Sequence, residues 1–191
     1  QVAQRGTQVT SFSSGDGYKT CDRWKYLINT LGTWTIDQSS DSPNGFSNSL
    51  KTTCTTADAS PASGDYLVLI QYIEAQDLQQ LSYGSSDAKT LTLSFWVRSD
   101  AAGDYALLAY SQDGSRMFET TYTISSANTW EKKTITIAGD TAGTINNDVG
   151  IGFELTWWLA AGTDFTSSAS SGSWEAYDST KSAYGQTAQL N

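Results

Sequence analysis

The sequence contains no histidine, only two prolines, only two cysteines and few basic residues. Without imidazole, a Ser-His-Asp or Cys-His nucleophile and every His-ligated metal site are excluded. The 11 Lys and Arg residues against 20 Asp and Glu residues give a net charge of −9, which lacks the basic footprint that nucleic-acid phosphates require. No apolar run approaches the roughly 18 residues that span a bilayer. We therefore expect no nucleic-acid partner and no membrane insertion.

Glycine (16), tyrosine (10) and tryptophan (7) are plentiful, and serine and threonine are common. These residues suit pleated surfaces and tight turns, whereas helical domains are richer in Ala, Leu, Glu and Lys. The 191 residues match the length of one β-sandwich. The composition thus predicts one all-β domain over residues 1–191.

Apolar and polar residues alternate with a period of two, which predicts β-strands. In the clearest strand, residues 91–98, Phe95 lies on the apolar face and Trp96 on the polar face. Further strands are predicted at residues 24–30, 33–36, 46–55, 66–73, 105–110, 117–124, 130–137 and 149–158. Short strands separated by Gly-, Asn- and Asp-rich turns predict an antiparallel β-sandwich or jelly roll. At most short helical turns are expected, of which residues 74–81 are the candidate.

Turns, cysteines and acidic residues outside the clear strands carry further predictions. Residues 15–17 predict a turn, and residues 185–190 resemble the opening of a strand, so we expect one module of a longer chain.

Cys21 and Cys54 leave two alternatives open, a disulfide that closes a loop of about 32 residues or two separate thiols. Acids near the ends offer oxygen ligands for a structural Ca²⁺, although they follow no calcium-loop spacing: Asp16, Asp22, Glu175 and Asp178. We expect no cofactor, with structural calcium as the alternative.

Polar strand faces carry a candidate carbohydrate-binding site. Sugars present apolar C–H faces that stack on aromatic rings, and hydroxyl rims that need hydrogen-bond donors and acceptors. The strands supply such groups if they share one sheet, and the predicted binding residues are Trp96, Arg98, Trp130, Glu154 and Trp158. For each tryptophan alone, packing against a loop or a subunit is the alternative. Trp24 and Trp157 are expected in the core.

Glu119 and Glu154 raise an enzymatic alternative, because both lie on polar faces of predicted strands. A glycosidase needs two carboxyl groups about 5 to 9 Å apart across a sugar-binding cleft. The chain has the length and composition of small jelly-roll xylanases, but neither residue lies in the Tyr- and Trp-rich strand context of their catalytic glutamates. We therefore predict that the protein is not an enzyme, with a small jelly-roll glycosidase as the less favoured alternative.

Three regions of the chain, in order, carry a resemblance to a known family: Val2-Ala3-Gln4-Arg5-Gly6-Thr7 with Cys21-Asp22-Arg23-Trp24, then Ile73-Glu74-Ala75-Gln76-Asp77-Leu78, then Leu91-Thr92-Leu93-Ser94-Phe95-Trp96-Val97-Arg98-Ser99. They are similar to a β-sandwich module found in virion proteins of tailed bacteriophages, in fibres, tail appendages and capsid decorations. Jelly-roll carbohydrate-binding modules have similar patterns. The resemblance implies a non-catalytic, repeatedly displayed domain on the virion surface, often trimeric, with glycans and other virion proteins as partners.

Together these observations predict a non-catalytic virion module, in a capsid decoration or a tail or fibre appendage, that adheres to cell-surface or environmental glycans. Many copies on one particle compensate for weak single sites by raising the effective concentration. One alternative is an accessory carbohydrate-binding module of a secreted bacterial glycan-degrading enzyme, which would be extracellular. Another is a purely structural domain whose aromatic face forms the interface of a homo-oligomer, for which a trimer is one arrangement.

Overall fold

The computed structural model describes residues 3–187, in which twelve β-strands are joined by turns and three short 3₁₀ helices. The strands are β1 (Gln8–Phe12), β2 (Gly15–Tyr18), β3 (Lys25–Asn29), β4 (Thr33–Ser39), β5 (Ser49–Thr56), β6 (Tyr66–Glu74), β7 (Leu91–Val97), β8 (Gly103–Ser111), β9 (Arg116–Ile124), β10 (Glu131–Ile137), β11 (Ile151–Ala161) and β12 (Glu175–Ala176). The 3₁₀ helices cover Ala75–Leu81, Thr163–Phe165 and Ser179–Lys181. None of these helices is long and apolar enough to cross a membrane.

The strands form two layers. One layer is a seven-stranded sheet in the order β12-β9-β8-β11-β6-β3-β2. The other layer consists of a three-stranded sheet, β1-β4-β5, and the pair β10-β7. All pairings within residues 3–187 are antiparallel. The predicted antiparallel all-β sandwich is confirmed.

Two apolar clusters fill the space between the layers. Beneath β7 and β10, Trp157 packs with β8 and β9 residues and contacts Trp24 at 5.1 Å between ring centroids. Beneath β1, β4 and β5, Trp34 is 1% exposed and its indole N–H donates to the Leu31 carbonyl. Burial of one such side chain stabilises the fold by roughly 1.5–3 kcal/mol. The prediction of core positions for Trp24 and Trp157 agrees with this packing.

The outer face of the seven-stranded sheet is partly covered by residues 162–187, which we call the C-terminal segment. Phe165 and Ala183 of this segment contact a third apolar cluster on that face. The side-chain oxygen of Gln186 accepts from the backbone N–H of Ala106, and the N–H of Thr187 donates to the backbone carbonyl of Asp104. Both bonds lie at the end of β8 that does not pair with β11. The segment therefore continues the hydrogen bonding of β8 and shields part of an otherwise open sheet.

Three strands were not expected from the alternation pattern. The turn predicted at residues 15–17 is wrong, because Gly15–Tyr18 pairs with β3 as an edge strand. Two of its four residues are glycines, so half of its positions carry no side chain to alternate. β1 and the two-residue β12 are also absent from the prediction. At the C-terminus, residues 185–187 form no strand, and the remainder of the expected strand lies outside the described residues.

Gly152 allows the 3₁₀ helix Ala75–Leu81 to pack closely on β11. A Cβ atom at this position would lie 2.6 Å from Cα of Ala75 and 2.8 Å from Cδ1 of Leu78. We expect Gly152→Ala to lower the free energy of unfolding by about 1–3 kcal/mol, because the helix must move away. Urea denaturation measures the change. Gly64→Ala, whose Cβ would meet its nearest atom at 3.4 Å, is the control, and equal stability of the two variants would contradict the close approach.

The two cysteines are free thiols in this structure. Cys21 is buried, and Cys54 is half-buried against the cluster beneath β1, β4 and β5. Burial raises the pKa of the Cys54 thiol. Of the two alternatives left open by the sequence, the structure therefore shows the separate thiols.

Candidate functional site

A groove of about 260 Å³ lies on the outer face of the seven-stranded sheet. We call it the aromatic groove, and its lining residues are Leu27, Tyr66, Val68, Ile70, Leu108, Tyr110, Glu154, Thr156, Trp158, Phe165 and Tyr177. Adjacent strands place Ile70, Thr156 and Leu108 side by side. Because successive side chains of a strand point to opposite faces, this row faces outward while Leu155 and Trp157 face the core. The pairing register of β6, β11 and β8 therefore produces the floor of the groove.

Aromatic rings gather at both ends of this floor. At one end Phe165 contacts Tyr66 and Trp158, at centroid distances of 5.2 Å and 5.0 Å. At the other end Tyr110 contacts Tyr177 at 4.6 Å. Tyr177 is 45% exposed, so part of its ring surface remains open to a ligand. Two ring groups therefore flank one apolar floor.

Glu154 supplies the groove with a carboxylate. Its oxygens accept hydrogen bonds from Nε2 of Gln112 at 3.3 Å and from the hydroxyl of Thr156 at 3.1 Å. Burial raises the pKa of Tyr72 and of Tyr177, and the negative charge of Glu154 raises both further. The phenols therefore stay protonated and remain hydrogen-bond donors. Rings, hydroxyls and one carboxylate are the groups with which proteins hold sugars.

The five predicted binding residues lie on two opposite faces of the sandwich. Glu154 and Trp158 line the aromatic groove, whereas Trp96, Arg98 and Trp130 lie on or beside β7 and β10 in the other layer. The condition that their strands share one sheet is not met, and the single five-residue site is corrected to two surfaces. The cause is strand order, since β7 and β10 pair with each other and not with β11.

The second surface, which we call the tryptophan patch, consists of Trp96, Arg98, Trp130 and Asp41. Asp41 forms an ion pair with Arg98 and accepts a hydrogen bond from the indole N–H of Trp130 at 3.1 Å. Trp96 is 41% exposed and lies opposite Lys132 in the β7–β10 pair. The polar face of β7 at Trp96 is thus open to solvent, as the alternation of apolar and polar residues predicts. Trp130 and Arg98 are already bonded within the protein.

Trp158 is less exposed than its position on a polar strand face predicts. It lies on the face opposite Trp157, as the alternation requires, but only 6% of it is exposed. The C-terminal segment brings Phe165 against its ring. Its indole nitrogen has no hydrogen-bond partner. Trp158 is therefore a buried end of the groove and not an open stacking platform.

Glu119 occupies a second cavity, of about 210 Å³, between β9 and the C-terminal segment. The residue is 3% exposed, and one of its carboxyl oxygens has no partner. Burial raises the pKa of Glu119 to about 7, which a hydrogen bond from Ser170 opposes and the charge of Glu175 supports. Desolvation also acts on Glu175, but hydrogen bonds from Lys181 and Ser171 outweigh it and hold the pKa of Glu175 below its usual range. Below about pH 7, a neutral Glu119 carboxyl thus lies near an ionised Glu175.

The predicted pairing of Glu119 with Glu154 across one cleft is corrected by these positions. Both residues face the same side of the sheet, where Leu108 lies beside Glu119 and Tyr110 beside Glu154. Each, however, lines a different cavity. No pattern in the sequence indicates Glu175 as the neighbour of Glu119, because the C-terminal segment that brings it there has no hydrophobic period.

The four acids considered as calcium ligands are engaged separately. Asp16 pairs with Lys25 at 2.7 Å and Asp22 with Arg5 at 3.9 Å. Asp178 accepts from the N–H of Thr180 at 3.0 Å and caps the last 3₁₀ helix, while Glu175 binds Lys181 at 2.5 Å. Among residues 3–187 no group of three or more acidic, cysteine or histidine side chains is placed to hold a metal. Structural calcium stays a prediction.

Comparison with known proteins gives a limited result. No family model and no curated protein matches the chain. The chain is similar to a solved structure described as the enzymatically active domain of tailspike protein 4 of bacteriophage CBA120. The identity is 17% and the TM-score 0.46, over 71% of this chain and 17% of that chain. A likeness of this size carries no argument about the residues that act.

The expectation that the protein is not an enzyme is nevertheless corrected. The similar tailspike domain is described as enzymatically active, so the expectation no longer stands. The lack of histidine excludes catalysis by imidazole but no other kind of catalysis. Carboxyl groups also act as general acids and bases, and the sequence has 20 Asp and Glu residues.

Proposed function

We propose that the protein is a module of a phage tail or fibre, displayed on the virion surface, that binds glycans in the aromatic groove. The observation that carries the glycan assignment is the groove itself, with ring groups at both ends of its floor and Glu154 among them. The phage setting is supported by the sequence resemblance of residues 2–7, 21–24, 73–78 and 91–99. A capsid decoration or an accessory module of a secreted enzyme would use the same groove.

The chemistry of the groove suits a sugar chain better than a purely apolar ligand. The exposed part of Tyr177 offers a ring face to the C–H side of a pyranose. The carboxylate of Glu154 accepts hydrogen bonds from sugar hydroxyls, and the hydroxyl of Thr156, which donates to Glu154, is able to accept one. A lipid or other apolar ligand would remove water from that carboxylate without supplying a hydrogen-bond donor in its place, at a cost.

Charge favours a neutral glycan. Glu154 is the charged residue among those that line the groove, and no lysine or arginine lines it. The whole chain carries a net charge of −9. Sulfated or uronic-acid-rich polysaccharides would meet repulsion from both sources. Neutral sugars and amino sugars are therefore the expected classes.

Removing the groove's open ring or its carboxylate is expected to weaken glycan binding. We expect Tyr177→Ala and Glu154→Gln each to lower the affinity for a neutral oligosaccharide by about tenfold or more, because one stacking surface or one charge-assisted acceptor is lost. An array of neutral and anionic glycans identifies the ligand, and calorimetry measures the affinity. Phe46→Ala, which truncates a ring that is 57% exposed in the loop before β5, is the control.

The same experiment separates the aromatic groove from the tryptophan patch. Trp96→Ala is expected to leave neutral-glycan binding unchanged, since Trp96 lies on the opposite layer. Loss of binding in Trp96→Ala with normal binding in Tyr177→Ala would transfer the site to the patch. Preferential binding of anionic glycans would contradict the charge argument. Absence of binding to every glycan would overturn the proposed function.

A further inference from the structure

The C-terminal segment connects the two cavities on the outer face. Its residues Phe165 and Tyr177 line the aromatic groove, and its residues Ser170, Gly172 and Tyr184 line the cavity over Glu119. A movement of the segment away from β9 would therefore change both cavities together. Neither the sequence resemblance nor the structural likeness assigns a role to this connection.

We propose that the C-terminal segment is a pH-dependent latch, closed over β9 while Glu119 is neutral and loosened when Glu119 ionises, so that the aromatic groove loses its Phe165 and Tyr177 side as the pH rises. The consequence for glycan binding rests on the proposed function. The latch itself is a property of the protein without ligand.

Glu119 is buried with fewer hydrogen-bond partners than a charged carboxylate requires. Glu119 is 3% exposed, and one carboxyl oxygen has no partner. A neutral carboxyl tolerates such a position, whereas a carboxylate requires water or several donors. The pKa of Glu119, raised to about 7 by burial, places this change near neutrality. Water reaches the carboxylate most directly if the overlying Ser170 and Gly172 move outward.

The groups around Glu119 do not compensate its charge. From the segment, the Ser170 hydroxyl is shared between Glu119 and Glu175, to which it donates at 3.5 Å, and the nearby Glu175 of β12 adds a second negative charge. Lys181 is engaged by Glu175, and no lysine or arginine within residues 3–187 forms an ion pair with Glu119. The neighbour on β8 is the apolar Leu108, while Tyr184 offers a phenol at the cavity.

The segment is held at its ends and at Trp174, whose indole N–H donates to the carbonyl of Ala138 at 2.6 Å and whose ring packs on Phe153. The stretch over Glu119, residues 166–173, is held less, because its backbone hydrogen bonds are to other residues of the segment.

At the start of the segment the N–H of Gly162 donates to the backbone carbonyl of Asp65 at 2.8 Å. At its end the N–H of Thr187 donates to the backbone carbonyl of Asp104 at 3.0 Å. Between them, β12 contributes two residues to the sheet, and the N–H of Tyr177 donates to Ser115 at 2.9 Å. Segments with few such bonds open locally without unfolding the domain.

Hydrogen exchange of backbone amides tests the latch without any ligand. Opening should become more favourable by up to tenfold per pH unit between the ordinary pKa of Glu119, 4.5, and its raised value near 7. We expect protection of residues 170–185, corrected for intrinsic exchange rates, to fall at least tenfold from pH 5 to pH 8. In Glu119→Gln, whose amide stays neutral, protection should be the same at both values. Glu74→Gln, on the exposed end of β6, should behave as the unaltered protein.

Each outcome decides between the two proposals. A constant protection in the unaltered protein, or an equal fall in Glu119→Gln, would overturn the latch. A fall confined to proteins that retain Glu119 supports it, whether or not a glycan binds. Loss of all glycan binding with an intact pH response would overturn the proposed function and leave the latch in place.

Discussion

Arg116→Met is expected to lower the free energy of unfolding by about 3–5 kcal/mol, because it leaves a carboxylate buried without its counter-ion. Nε of Arg116 lies 2.5 Å from Oδ2 of Asp140, whose side chain is 1% exposed. The same guanidinium donates to the carbonyl of Trp174 at 3.1 Å. After the substitution, Oδ1 of Asp140 would still accept the hydrogen bond from the N–H of Ala142. One amide does not replace a guanidinium in a site closed to water.

Guanidinium chloride denaturation of Arg116→Met and of the double variant Arg116→Met/Asp140→Leu measures the contribution of the pair. The double variant is expected to recover part of the loss, since an apolar pair leaves no unpaired charge behind. Asp16→Asn, which breaks the exposed pair with Lys25, should leave the midpoint close to that of the unaltered protein. If the double variant were less stable than Arg116→Met alone, the unpaired carboxylate would not be the cause.

Alternation predicted the strands whose two faces differ in exposure. In β7, every second residue from Leu91 to Val97 is half-buried and the others are exposed, so the period is visible in the sequence. β2 carries glycine at two of four positions, and β12 has two residues, so neither shows a period. The order of the strands in the sheets depends on contacts distant in sequence, which a local pattern does not contain.

The candidate site was predictable only in part for the same reason. Opposite faces for Trp157 and Trp158 follow from their adjacency in a strand, and Glu154 follows from the same period. The convergence of Tyr66, Tyr110 and Tyr177 requires β6, β11 and β8 to be neighbours and the C-terminal segment to fold back. That segment is rich in Ser and Gly and has no hydrophobic period, so its place over the sheet was not visible.

Glu119 also sets a pH dependence of global stability whose sign is fixed by the direction of its shift. The pKa is 4.5 for an ordinary glutamate and about 7 in the folded protein, so the folded state binds more protons between these values. The stability that a neutral Glu119 provides is complete below pH 4.5 and is lost as the pH rises to about 7, a total of about 3 kcal/mol. Asp16, Glu131, Glu175 and Asp178 act in the opposite sense, because their pKa values are lowered and their contribution is lost as the pH falls.

Comparing Glu119→Gln with the unaltered protein isolates this contribution, because the other carboxyl groups are common to both. We expect the difference in the free energy of unfolding to shift by about 3 kcal/mol in favour of Glu119→Gln between pH 4.5 and pH 8. Urea denaturation across this range measures it, with Glu74→Gln as the control that should show no such shift. A difference that stays constant with pH would mean that Glu119 titrates with the same pKa in the folded and the unfolded protein, and the buried neutral carboxyl would have to be abandoned.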